Sequence, residues 1–499
     1  MPKPSRNTDQ RALLFDFDNT IAGTRSVQHI RESGAYNELT AVTMAKVAVY
    51  KPVPGILDAL KERNIRVGIV TNSGAPYMER LLKHLGLSSA FDVVITYADV
   101  KAAGKKPSPK GLQLAMQKLA VQKSQVIGFV GDDEYDLVAA YHAGIVPILP
   151  TWASRSPVST APAIALSPKF LIDYLDHPEE YQLFAEKAAA LGSANFARKG
   201  VYFLPLDGES NIVTLKEEMT TFCLGRYYSQ RAATTAALHD QHALSKEIAA
   251  KEAVTPFKVP RYWVDIFAHV VKHGPEFMFP DGNRFDVITV IPSKQGKDPR
   301  LERLLASMAD TLKEEGKPIT CDPSVFAYLP DAQSQKALHA NERRVEANRS
   351  LHLNASNAKK LVGKRVLVID DVVTTGSTLA RARALLLGAG AISAVGVALA
   401  KTVSIVEDER LCPKCARTMK VQRNKTTGDR FWGCSGYFEP GSPCKYSEPL
   451  ISKKCPKCGR PMAIRVNSHS KERFWACTGF RETPKCSHSQ DFDPNEASV

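Results

Sequence analysis

Three times in this chain a short apolar run ends on acids. Residues 13–20 read LLFDFDNT, residues 126–136 VIGFVGDDEYD and residues 366–378 VLVIDDVVTTGST. Each run reads as a buried strand, and amphipathic stretches such as GAPYMERLLKHLG, SPKGLQLAMQKLA and RLERLLASMADTLKEEG lie between and around them. Strand and helix that alternate in this way predict α/β architecture, with parallel sheets covered on both faces. Ligands in such sheets bind beyond the carboxyl ends of the strands, where these acids fall. A chain of 499 residues has room for about three domains.

In the first segment Asp16 and Asp18 alternate, so on a strand they share one side. RVGIVTNSG (66–74) is a second strand, ending in Thr71, Asn72 and Ser73, and GKKPSP (104–109) offers a lysine before proline. The strand at 126 ends in Asp132, Asp133 and Asp136. Acids, a threonine and a lysine in this order suit phosphoryl transfer. One carboxylate can attack phosphorus and a second can handle the proton, while lysine and hydroxyl hold the phosphoryl oxygens. Mg²⁺ would offset the clustered charge. The four motifs resemble those of the haloacid dehalogenase (HAD) phosphatases, whose first motif is DxDxT. The resemblance implies that Asp16 is the nucleophile, Asp18 the general acid/base and Thr20 a support for the turn. It implies that Thr71 and Lys106 bind the phosphoryl group, with Lys105 the neighbouring alternative. Mg²⁺ would be held by Asp16, Asp132 and the Asp18 backbone carbonyl, with Asp136 or Asp133 completing the acidic set. About fifty residues separate the first two motifs, so any cap between them is small and the site is open to large substrates.

A second α/β pattern follows. FDVITVIPSK (285–294) is a strand, and the strand at 366 runs into Thr374, Thr375, Gly376, Ser377 and Thr378. Small residues entering a helix can surround a phosphate with backbone N–H groups, and Gly376 permits close approach. Asp370 and Asp371 would repel that phosphate but can accept from a diol beside it, which describes a sugar phosphate. The stretch resembles the 5-phosphoribosyl 1-pyrophosphate (PRPP) motif of type I phosphoribosyltransferases, in the ComF-like branch. By that resemblance Asp370 and Asp371 bind ribose hydroxyls, residues 374–378 the 5′-phosphate, and Ser293 and Lys294 lie at the pyrophosphate loop. Mg²⁺ would bridge pyrophosphate and ribose. Arg343 and Arg344 read either as solvated helix residues or as members of a catalytic loop. The hood, expected within 200–280, matches no pattern.

Eight of the ten cysteines fall between Cys412 and Cys486, in two copies with a period of 43 residues. CPKCARTM…RFWGCSGYFEPGSPCKY returns as CPKCGRPM…RFWACTGFRETPKCSHS. Cys412, Cys415, Cys434 and Cys444 form one set of thiols, and Cys455, Cys458, Cys477 and Cys486 the other. Four thiolates with no open position describe a structural Zn²⁺ site, and the metal would supply the folding energy of so short a repeat. Disulfides are the competing reading. Aromatics lie between the thiols: Phe431, Trp432, Tyr437 and Phe438, then Phe474, Trp475 and Phe480. Arg423, Lys425, Arg430, Arg465, Lys471, Arg473 and Arg481 accompany them. Of the net charge of +14, most sits in this tail, where Arg410–Val499 holds seventeen Lys and Arg against eight Asp and Glu. Aromatics stack on unpaired bases and cations neutralise phosphates. The copies resemble the C-terminal zinc fingers of type IA DNA topoisomerases. That implies contact with single-stranded DNA through Phe431, Trp432, Tyr437, Phe474, Trp475 and Phe480, with RNA the alternative strand.

The resulting plan is a HAD-like domain over 1–155, a helical connector over 156–200, a phosphoribosyltransferase-like domain over 201–408, and zinc fingers at 409–450 and 451–490. The polar opening MPKPSRNTDQ has no apolar run behind it, and the uncharged run 384–400 is broken by Gly388, Gly390 and Gly396. The expectation is therefore a cytoplasmic protein without a membrane span. The expected function is Mg²⁺-dependent phosphomonoester hydrolysis joined to PRPP-dependent transfer and tethered to single strands. The alternative is an accessory protein that senses PRPP or a nucleotide.

Overall fold

The computed structural model describes residues 10–491 apart from 154–156, 195–201, 215–218, 231, 252, 280–283, 315–318, 332–339, 404, 406–411, 416, 418, 425–429, 439–442, 450–452, 468–469, 471 and 482. The chain divides into two compact units, Met1–Tyr227 with Ala243–Val403 and Tyr228–His242 with Ser404–Val499.

The first unit holds two large sheets. One is built from β1 (Ala12–Phe15), β2 (Arg66–Val70), β3 (Val93–Ile95), β4 (Val126–Val130), β5 (Pro147–Pro150) and β6 (Ile164–Leu166), in the order β3-β2-β1-β4-β5-β6. All of its pairings are parallel. Leu13 and Phe15 enter one core and Ala12 and Leu14 another, so β1 is buried on both faces. The order reverses between β1 and β4, and the acids that follow both strands therefore meet in the crevice at that switch point. The stretch 156–200, expected as a helical connector, holds helices at Pro168–Asp176 and Phe184–Leu191 and also β6, which completes this sheet. Between β1 and β2 lie short elements, including α1 (Gln28–Ser33), followed by a ten-residue helix at Val53–Glu62.

The second sheet contains seven strands. Its main path joins β7 (Leu204–Leu206), β8 (Thr221–Cys223), β9 (Val287–Val290), β10 (Thr320–Cys321), β13 (Arg365–Val373) and β14 (Ser393–Val403), in the order β10-β9-β13-β14-β8-β7. A separate ribbon pairs β11 (Phe326–Tyr328) with β12 (Leu351–Leu353). Along this path the sheet is parallel except that β7 runs against β8 at the edge. Leu367, Ile369 and Val397 pack beneath α6 (Arg261–His273) and α7 (Arg300–Glu314), through Trp263, Phe267, Leu304 and Met308.

In the second unit each cysteine set sits on a small antiparallel sheet. The first contains β15 (Met419–Arg423), β16 (Arg430–Cys434) and β17 (Ser447–Pro449). The second contains β18 (Lys453–Lys454), β19 (Pro461–Val466), β20 (Arg473–Cys477) and β21 (Ser489–Asp491). This unit also holds α4 (Ala233–Gln241), whose Ala233 packs on the first cysteine cluster. Among the described residues no helix is long and apolar enough to cross a membrane.

Candidate active sites and metal centres

At the first sheet, oxygens of Asp16, Asp132 and Asp136 lie within 4.8 Å of one another, all three residues buried. Lys106 Nζ stands 2.5 Å from Asp16 Oδ1 and 2.5 Å from Asp136 Oδ1. Burial disfavours the ammonium, but Asp136 and Asp16 outweigh it and hold it charged. Burial raises Asp16 to about 6, against the pull of Lys106, and raises Asp132 to about 8 with the help of Asp16 and Asp133. Asp136 is also raised well above the ordinary range by burial. Three carboxylates against one ammonium leave excess negative charge in a dry crevice, and that donor set suits a hard dication such as Mg²⁺.

The sequence left two choices open here. Asp136, at the third position of α3 (Glu134–Ala143), enters the cluster, whereas Asp133 caps that helix by accepting from Asp136 N at 3.0 Å. Lys106, not Lys105, reaches the acids. Gly131 makes room for them, since a Cβ there would lie 2.3 Å from that of Asp136. Thr20 donates to Asp132 at 3.0 Å, and Thr71 accepts from Ser73 N at 3.1 Å. The Asp18 carboxylate points elsewhere. Its Oδ2 accepts from Ser73 Oγ at 2.6 Å, its Oδ1 accepts from Tyr77 OH at 2.7 Å, and Arg31 Nη1 lies 3.3 Å from Oδ2. Arg31 on α1 and Tyr77 on α2 (Ala75–His84) were not expected from the sequence.

At the second sheet, β13 does not stop at the aspartates. It runs on to Val373, with Val372 and Val373 opposite Ala400 and Lys401. Asp370 and Asp371 therefore project from opposite faces of the strand. Asp371 continues the face of Leu367 and Ile369, and its Oδ2 meets Lys251 Nζ at 2.5 Å and Arg300 Nη2 at 2.6 Å. Lys251 follows α5 (Ala243–Ala250), and Arg300 opens α7. Burial would raise Asp371, but the two cations prevail and hold it at about 2. Asp370 is raised to about 7 by desolvation and by Asp371. It acts electrostatically on Tyr328, which hydrogen-bonds Thr378 and lies under Lys294 Nζ, 5.0 Å from the ring centre. Ser293 donates through N and Oγ to Glu302 Oε1, at 2.6 and 2.8 Å.

The small-residue loop closes on itself. Thr375 Oγ1 and Ser377 Oγ lie 2.9 Å apart, and Thr374 Oγ1 lies 3.0 Å from Thr402 Oγ1. Gly376, with φ of +70°, precedes α9 (Ser377–Gly388), and a Cβ there would fall 2.0 Å from Ser210 Oγ. Any other residue there would be strained by that φ and would have to displace the Ser210 hydroxyl. Buried Lys401 donates to Thr374 O at 2.6 Å. Arg343 is partly buried and Arg344 exposed on α8 (Ala340–Ser350), and 332–339 lie outside the described residues.

In each cysteine set the sulfurs pair at 3.4 and 3.7 Å. A disulfide needs about 2.05 Å, whereas four sulfurs about 2.3 Å from one Zn²⁺ stand about 3.8 Å apart. The thiols thus fit Zn²⁺ and not disulfides. Trp432 and Trp475 are buried with Met419 and Met462 against the sulfurs, so they build the ribbon cores and offer no face to a base. Phe431 and Phe474 are half-buried, and Tyr437 and Phe480 are exposed. Lys485 Nζ lies 4.3 Å from the Phe480 ring centre. Arg465 is exposed, and Lys425 and Lys471 lie outside the described residues.

Known proteins resemble separate parts of the chain. Residues 28–149 match the haloacid dehalogenase-like hydrolases, 305–422 the phosphoribosyl transferase domain, and 409–451 and 452–495 the topoisomerase DNA-binding C4 zinc finger. The pyrophosphatase PpaX of Oceanobacillus iheyensis is 34% identical over 109 residues, covering 22% of this chain and 50% of that protein. That of Bacillus cereus is 33% identical over 127 residues, covering 26% and 56%. The chain spans about half the length of these curated relatives. Among solved structures, a HAD phosphatase from Thermococcus onnurineus is 22% identical with a TM-score of 0.28, covering 33% of this chain and 98% of that one. CbbY from Rhodobacter sphaeroides in complex with phosphate is 19% identical with a TM-score of 0.25, covering 30% and 93%. One polypeptide therefore joins a haloacid dehalogenase-like hydrolase domain, a phosphoribosyltransferase domain and two topoisomerase-type C4 zinc fingers.

Proposed function

We propose that the chain transfers phosphoribosyl groups from PRPP at the second sheet and hydrolyses the released pyrophosphate at the first, with the zinc fingers holding a single-stranded polynucleotide nearby. The observation that carries this reading is the convergence of Asp16, Asp132, Asp136 and Lys106 in one buried crevice. Asp16 is the nucleophile and Lys106 holds the transferred phosphoryl oxygens. Thr71 stands beside them, and Asp18 serves proton transfer. Mg²⁺ bound by Asp16, Asp132, Asp136 and the Asp18 carbonyl would neutralise charge on the phosphoryl oxygens. The relatives named pyrophosphatases favour an anhydride substrate, and loss of pyrophosphate is what a PRPP-dependent transfer produces. Removing it drives the transfer forward.

At the second site the loop 374–378 receives the 5′-phosphate, and Asp370 takes a ribose hydroxyl. Ser293 and Lys294 border the pyrophosphate, while Lys251 and Arg300 add positive charge there. One observation favours the sensor reading instead: Asp371 already has two cationic partners and is not free to take a hydroxyl.

The test uses the whole protein with Mg²⁺, PRPP and single-stranded DNA. Wild type is expected to release orthophosphate, and Asp16→Asn to release pyrophosphate instead, with hydrolysis reduced at least about a thousandfold. Binding of PRPP with neither product would favour the sensor.

A further inference from the structure

Arg31 enters the hydrolase crevice from α1, in the segment between β1 and β2. Its guanidinium lies 3.3 Å from Asp18 Oδ2, with the side chain 27% exposed. Asp18 already accepts from Ser73 and Tyr77, one hydroxyl on each oxygen. Arg31 is thus its longest and most solvent-facing partner. A guanidinium has five N–H donors, and the contact of Nη1 to Asp18 with the looser approach of Nη2 to Glu32 Oε1, at 3.8 Å, leaves donors for a ligand at the mouth. The guanidinium also feels Asp16, so it lies within the field of the attacking carboxylate. Lys106 is differently placed: its charge is divided between Asp16 and Asp136, beside the phosphoryl group that is transferred. Two cations therefore occupy two sides of the reacting centre, one deep and one at the mouth.

We propose that Arg31 is a specificity-determining residue that binds the leaving group, and that it selects substrates whose leaving group is itself a phosphate. The inference rests on the hydrolase reading above and names its substrate class. In the first step an Asp16 oxygen attacks the terminal phosphorus of pyrophosphate. The bridging P–O bond breaks with its electron pair going to the bridging oxygen, Asp18 gives its proton to that oxygen, and the departing phosphate, still anionic, meets Arg31. In the second step a water oxygen attacks the aspartyl-phosphate and its proton passes to Asp18. Asp16 is restored and the second orthophosphate leaves. An ester of a neutral alcohol departs without that extra charge and gains little from a guanidinium.

The experiment compares full-length wild type, R31Q, R31K and D16N with Mg²⁺ on pyrophosphate and on phenyl phosphate. R31Q should lose at least about tenfold more kcat/KM on pyrophosphate than on phenyl phosphate, the scale of one charge-assisted hydrogen bond. R31K should recover part of that difference. Equal losses on both substrates would mark Arg31 as a structural support of Asp18 and overturn the proposal. So would undiminished pyrophosphate hydrolysis by R31Q, or a wild type that cleaves phenyl phosphate alone. A wild type that cleaves neither substrate, and is indistinguishable from D16N, would instead remove the hydrolase reading on which the proposal rests.

Discussion

Two adjacent carboxylates show how little a residue's identity says about its charge. Asp371 is held at about 2 by Lys251 and Arg300, while its neighbour Asp370 is raised to about 7. They diverge because an unbroken strand turns them to opposite faces, one toward cations and one away. Their contributions to stability have opposite signs. An unfolded aspartate releases its proton near pH 4, whereas folded Asp370 keeps it until about 7. Between those values the folded state binds the extra proton, so this group lowers stability as the pH rises, and the cost is constant above 7. Asp371 contributes stability above pH 4 that is lost as the pH falls toward 2. Thermal melts of Asp370→Asn should therefore lack part of the decline that wild type shows from pH 4.5 to 7.5. Parallel curves would mean that Asp370 ionises normally.

Within the zinc ribbons, strand parity separates core from surface. Trp432 lies two residues before Cys434, and Trp475 two before Cys477, so each tryptophan shares the metal's face. Tyr437 and Phe480 lie three residues beyond those cysteines, in the short turns that leave the strands, and remain exposed. Tyr437→Ala with Phe480→Ala should weaken binding to single-stranded DNA by about five- to a hundredfold per stacked base while two Zn²⁺ per chain are retained. Trp432→Ala should instead lose Zn²⁺ from the first ribbon. Metal analysis and strand-binding titrations on the same variants distinguish the two effects. The sequence leads to the expectation that Trp432 and Trp475 meet a nucleic-acid strand, because aromatic character is visible in it while the shared face with the cysteines, which buries both rings, shows only in the folded ribbon. The acids after β1 and β4 were legible because a local pattern puts them at a strand end, and sheet order joins the ends. Arg31, Lys251 and Arg300 carry no such mark. Each arrives from a segment without a motif, through tertiary packing, and its role depends on a carboxylate far away in the chain.

At the scale of the first unit, the chain between the two α/β sites links their loops. Glu134, beside the acidic cluster, accepts from Ser159 N and Thr160 N, and Val158 O accepts from Ile212 N. Ser210, two residues earlier, presses on Gly376 of the small-residue loop. Hydrogen bonds and contacts thus connect the loop after β4 with the small-residue loop before α9. The second unit is assembled differently, from two separated stretches of chain. Helix α4 leaves the first unit's sequence at Tyr228, packs Ala233 on the cysteines of the first ribbon, and the chain returns at Ala243. A protease site inserted after Val403 should therefore cut the backbone without freeing the tail. The clipped fragment should co-elute with the rest of the protein on gel filtration until a chelator dissolves the ribbon, so that the bound metal acts as a latch holding the severed piece.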